Sequence, residues 1–72
     1  MTLSNFVRLC NQVDVPVHVI DESEFLTIHL LDANPKNALS FDIADLASAT
    51  KVSRFHIRLH KKANALAKKR AF

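Results

Sequence analysis

The 72-residue chain contains no glycine, no tryptophan and no tyrosine. Without glycine there is no Gly-rich phosphate loop, no dinucleotide fingerprint and no glycine hairpin turn, which argues against most nucleotide-dependent enzymes. Turns must come from Asn, Asp, Ser and the two prolines. Cys10 is the single cysteine, so no internal disulfide forms. A lone thiol on an apolar stripe behaves as a small buried group and fits a reducing compartment, the cytoplasm. No segment resembles a signal peptide, and no apolar run nears the roughly 18 residues of a membrane span, so no membrane partner is expected.

A further absence is local. No acid follows Asp45. Residues 1–50 carry seven acids against Arg8 and Lys36, a net of −5, whereas residues 51–72 carry eight bases and no acid, a net of +8. The overall +3 hides this split. A block of one sign repels itself unless something acidic lies against it: nucleic acid, an acidic membrane surface or an acidic protein surface.

What is present is enough for one small domain, residues 1–72. Apolar residues make up 49% of the chain, well above a disordered composition. A chain this short buries only about 60% of its unfolded surface, so one small core carries the fold and oligomerisation commonly assists. Leu3, Phe6, Val7 and Cys10 recur at helical spacing, which predicts a short helix over 3–12 capped by Thr2 or Ser4. Two strands, 15–20 and 25–31, form a hairpin around Asp21-Glu22-Ser23-Glu24. Pairing Ile20 with Phe25 puts Val15, Val17, Val19, Leu26, Ile28 and Leu30 on one face, with His18, Thr27 and His29 on the other.

After the loop at 32–37, Leu39, Phe41 and Ile43 alternate as a short third strand or extended lead-in would. A helical segment near 42–50 follows, with Ser40 as its cap. Residues 53–60 alternate fully: Phe55, Ile57 and Leu59 one way, Arg54, His56, Arg58 and His60 the other. The alternation predicts a further strand at about 53–60, since a helix would strand Ile57 opposite Phe55 and Leu59. A basic helix from Lys61 to Ala71 closes the chain, with Ala63, Leu66, Ala67 and Arg70 as its inner stripe. The expected class is α+β: short N-terminal helix, antiparallel hairpin, central helical segment, further strand and basic C-terminal helix.

Arg54, Arg58, Lys61, Lys62, Lys68, Lys69 and Arg70 are the candidate contact residues, chiefly for phosphate. Arginine adds a planar fork suited to phosphate or guanine. Only Phe55 and Phe72 are aromatic in this region, a thin basis for stacking single-stranded bases. A solvated face that keeps a small domain soluble is the plain reading of the same charges. Over the same stretch, Leu46-Ala47, Val52-Ser53 and Ile57 resemble the helix-turn-helix segment of bacterial transcription regulators. That resemblance implies a recognition helix headed by Ser53, Arg54, Phe55 and Arg58. Lys51 occupies the usual turn glycine, and His60 a usual aliphatic position. Lys61-Lys62-Ala63-Asn64-Ala65-Leu66-Ala67, after a helix and strands, resembles the closing helix of the double-stranded RNA-binding domain, without that family's Gly-rich loop.

His56 and His60 could share a zinc on a helix, but on a strand they stand about 13 Å apart. Polar-face histidines are the simpler reading, and no metal or other cofactor is expected. Cys10, a histidine and Asp14 make only a nominal triad, because Cys10 lies on the apolar stripe; the chain reads as a non-enzyme. The expectation is a small nucleic-acid-binding or regulatory protein, with DNA ahead of RNA as target and homodimerisation expected. The alternative is a homodimeric protein–protein interaction module whose basic face meets an acidic protein surface.

Overall fold

Thr2 begins the first element, its hydroxyl accepting from the Asn5 N–H at 3.2 Å. The computed structural model describes residues 1–70, the side chain of Arg70 excepted. Helix α1 runs Leu3–Cys10 and buries Phe6 and Cys10, as its apolar spacing requires. Strands β1 (Val17–Glu22), β2 (Phe25–Leu30) and β3 (Ala38–Asp42) form an antiparallel sheet in the order β1-β2-β3. Helix α2 then runs unbroken from Ala49 to Arg70. The architecture is α+β, with both helices sharing one core with the inner face of the sheet.

The hairpin register differs from the expected one by two residues. Val17 pairs with Leu30, Val19 with Ile28 and Glu22 with Phe25. A slip of two preserves the faces, so Leu26, Ile28 and Leu30 are buried while His18 and Ile20 lie on the open side. The turn tightens to Ser23-Glu24, with Ser23 at φ 27°. Asp21–Leu26 and Glu22–Phe25 join the ladder beside this turn, while Val15 and Pro16 drop out of it at the other end.

The third strand is Ala38–Asp42, and the expected strand at 53–60 is helical instead. The helical segment expected near 42–50 is a 3-10 turn, Ile43–Ala47, capped by Asp42 rather than Ser40. Ser48 breaks that turn and caps α2, its Oγ accepting from the Lys51 N–H at 3.3 Å and its carbonyl from the Val52 N–H at 3.0 Å. Residues 53–60 alternate in polarity, yet the burial they reach follows the helical period: Val52, Phe55, Leu59, Ala63 and Leu66 are buried. A separate strand would need a second nucleation and a new cap for the Ala- and Lys-rich segment behind it. One continuous helix extends from a single cap and leaves only Ile57 stranded, 55% exposed.

Phe6 of α1, Phe41 of β3 and Phe55 of α2 meet in the core. Their ring centroids stand 4.7 Å apart for Phe6–Phe41, 5.6 Å for Phe6–Phe55 and 4.9 Å for Phe41–Phe55. This cluster ties the three elements together and fixes how α2 is rotated about its axis. With 22 residues, α2 is about 33 Å long, most of the molecule's 39 Å extent.

Candidate nucleic-acid interface

The rotation set by the buried stripe sorts the remaining residues of α2 onto two flanks. Lys51, Arg54, Arg58, Lys62, Ala65 and Lys69 recur at spacings of three and four, so they share one flank. Ala49, Ser53, His56, His60 and Asn64 recur in the same way on the other flank, which carries no lysine or arginine. Lys61 and Lys68, seven apart, stand on the outer crest between the flanks. Of the candidate contact residues, Arg54, Arg58, Lys61, Lys68 and Lys69 are exposed and Lys62 is half-buried. The side chain of Arg70 lies outside the described residues, as do Ala71 and Phe72. The expected strand face of Arg54, His56, Arg58 and His60 is not formed. Helical geometry separates the two arginines from the two histidines.

The cationic flank borders two grooves. Toward the N-terminus of α2, a groove of about 310 Å³ is lined by Ser40, Asp42, Asp45, Lys51, Arg54 and Arg58 among others. Lys51 Nζ bonds Asp45 Oδ1 there at 3.1 Å. Farther along, a groove of about 510 Å³ lies between α2 and the 3-10 turn Pro35–Asn37, with Lys36 on one wall and Lys62 and Lys69 on the other. Sequence reasoning missed Lys36 because it sits alone in the acidic half, far from the basic block. Asn34-Pro35, a cap followed by a residue with fixed φ, was the only hint that this loop holds a defined shape.

The neutral flank borders a groove of about 670 Å³, lined by Leu46, Val52, His56, Ile57 and His60 among others. His56 stacks on Phe6 with centroids 5.4 Å apart. Burial, then the neighbouring His60, pushes the His56 imidazole below its ordinary value of 6.5. His18 and His29 are cross-strand partners on the open face of the sheet, away from the other two histidines. Among the described residues, no group of three or more His, Cys, Asp or Glu side chains could hold a metal ion. Cys10 is fully buried, and desolvation pushes its thiol up to about 11, so it stays protonated near neutral pH.

The helix-turn-helix geometry is not formed. Leu46 and Ala47 lie in a 3-10 turn, and Thr50-Lys51-Val52, where the motif turns, belongs to the first turns of α2. Phe55, placed by that resemblance at the head of a recognition helix, is 3% exposed in the core. A helix, three strands, a 3-10 turn and a basic helix follow one another along the chain, with residues 38–42 supplying the third strand. No helix among the described residues is long and apolar enough to cross a membrane. No protein-family model, no curated protein and no solved structure matches this chain.

Proposed function

We propose that this protein binds duplex nucleic acid through the outward surface of α2, gripping the phosphate backbone. The carrying observation is the charged surface of α2 from Arg54 to Lys69. It comprises Arg54, Arg58, Lys61, Lys62, Lys68 and Lys69 with no acid in the helix, and Arg70 extends it in sequence. Each phosphate neutralised releases condensed counterions, so a rigid row of cations gains affinity from a polyanion that it would not gain from isolated anions. Phosphate contacts position a duplex without reading its bases. Duplex DNA is the leading target, and duplex RNA is expected to bind as well.

A duplex is favoured over a single strand because the aromatic rings are turned inward. Phe6, Phe41 and Phe55 are at most 5% exposed, and Phe25 sits on the open sheet face away from α2. Among the described residues, no ring stands on the basic surface for a base to stack on. The protein would act in the cytoplasm as a non-enzymatic binding or regulatory factor, consistent with a buried, unpaired thiol.

Fluorescence anisotropy with duplex DNA, duplex RNA and single strands, at 50 mM and 200 mM salt, tests this reading. If four to six phosphates are neutralised, log K should fall against log salt with a slope of about −4 to −5. Duplexes should bind more tightly than single strands. No binding of any duplex at 50 mM salt would sink the proposal.

A second reading is a homodimeric interaction module whose basic face meets an acidic protein surface. Its supporting observation is the opposite placement of charge: Asp21, Glu22, Glu24 and Asp42 crowd the hairpin-turn end of the sheet, while Lys62, Lys68 and Lys69 lie along the far part of α2. Sedimentation at two salt concentrations tests it. A dimer that dissociates as salt rises supports it; a monomer at all protein concentrations removes it.

A further inference from the structure

The cations of α2 are not equivalent, because the elements packed beside them differ in charge. At the N-terminal end of the basic flank, Asp42 and Asp45 line the groove with Arg54 and Arg58, and Asp45 already pairs with Lys51. Part of the positive charge there is neutralised internally. At the other end, Lys36 faces Lys62 and Lys69 across a groove lined otherwise by Asn34, Asn37 and apolar side chains, with no carboxylate.

The wall that carries Lys36 is held in shape. Asn34 Oδ1 accepts from the Lys36 N–H at 3.0 Å, and the Asn37 N–H donates to the Asn34 carbonyl at 2.9 Å. The nearest acid in sequence, Asp32, is engaged within the loop. Its Oδ1 accepts from the Asn34 N–H at 2.9 Å and from the Asn37 side-chain amide at 3.2 Å. Pro35 restricts the backbone between these bonds. Three like charges are thus brought from two elements to one groove without a partner among the described ion pairs, an arrangement that repels itself in the free protein.

We infer that this groove is the principal phosphate seat of the chain, with Lys36, Lys62 and Lys69 closing on a backbone phosphate from two sides. The inference rests on the nucleic-acid reading for the identity of its ligand. The seat itself takes any oligophosphate. An anion entering the groove relieves the mutual repulsion of the three ammonium groups. Binding therefore concentrates at the C-terminal part of α2 and weakens toward Asp42 and Asp45.

The test uses the intact chain and two probes. In an amide NMR titration with inorganic tripolyphosphate, resonances of residues 34–38 and 62–69 should shift together and saturably. Lys36→Gln should abolish the shared response while leaving the spectrum of the free protein folded. In duplex titrations, Lys36→Gln and Lys69→Gln should each lower the salt slope by about 1 and weaken binding by roughly 3- to 10-fold. Lys51→Gln should leave the shared tripolyphosphate response of residues 34–38 and 62–69 unchanged. A wild-type chain that binds duplex with the same salt slope as Lys36→Gln would overturn the inference. Tripolyphosphate shifts spread evenly over all lysines, or confined to residues 51–58, would overturn it also. Seating of tripolyphosphate without any duplex binding would support the seat and overturn the nucleic-acid reading instead.

Discussion

Ser23 and Leu31 carry positive φ angles of 27° and 76° in a chain that has no glycine to place there. A left-handed backbone costs a residue with a Cβ roughly 1–2 kcal/mol. At exposed Ser23 the cost is removable. Ser23→Gly is expected to stabilise the chain by about 0.5–1 kcal/mol, after the greater unfolded-state entropy of glycine is subtracted. Differential scanning calorimetry should show Tm raised by roughly 2–8 °C. Leu31 packs against the core, so Leu31→Gly should lower Tm by losing that packing. His56 supplies a pH signature. Its folded pKa lies below 6.5, so above the unfolded value both states are neutral and its contribution is complete. As pH falls from 7 through 6 the unfolded chain takes up the proton first, and stability declines. Urea melts at pH 7.5 and 5.8 should show the loss, and His56→Phe should reduce it. An unchanged pH slope in that variant would show that His56 does not carry the effect.

At the scale of elements, the aromatic cluster holds the two helices to the sheet. Phe6 is the link, since its ring touches the rings of Phe41, Phe55 and His56. Phe6→Ala is expected to cost about 3–5 kcal/mol, a large share of what a domain this small possesses. Chemical denaturation should therefore give an unfolded or barely folded variant, whereas Lys68→Gln and Lys69→Gln on the exposed crest and flank should melt within about 0.5 kcal/mol of wild type. The contrast separates residues that orient α2 from residues that α2 presents. The cationic flank exists because the buried stripe at Val52, Phe55, Leu59, Ala63 and Leu66 aims it outward.

Over the whole molecule, charge is polarised along the long axis. The hairpin turn, Asp42 and Asp45 gather near the start of α2, where carboxylates also favour the positive end of the helix dipole. Lys68 and Lys69 sit in the last turns, where cations favour the negative end. On the proposed nucleic-acid reading, the same polarity would limit how far a polyanion can follow the flank. Asp45→Asn frees Lys51 and removes a repelling charge. Duplex affinity should rise by a few fold, with the salt slope steeper by about 1. The exposed Lys51–Asp45 pair contributes only about 0–1 kcal/mol, so the melting temperature should scarcely move. Unchanged affinity in Asp45→Asn would mean that the bound phosphate does not approach the N-terminal end of α2.

Much of this was legible in the residues alone. The α+β class, the capped N-terminal helix, the hairpin and its buried face followed from periodicity, which a two-residue slip in register does not disturb. Burial of Cys10 followed from its place on the stripe with Phe6. The one-sided distribution of charge along the chain was plain as well. The conformation of residues 53–60 was not, because Phe55, Ile57 and Leu59 satisfy a strand's period while Phe55 and Leu59 alone satisfy a helix's. The choice fell to partners distant in sequence: β3 supplies the third strand of the sheet, and Phe6 and Phe41 pack against Phe55. Lys36 joined the basic surface for a related reason. A loop and a helix far apart along the chain share a groove only once the sheet has folded between them. Sequence determined which residues are apolar and which are charged. Tertiary packing determined the rotation of α2, and with it which of those charges stand together.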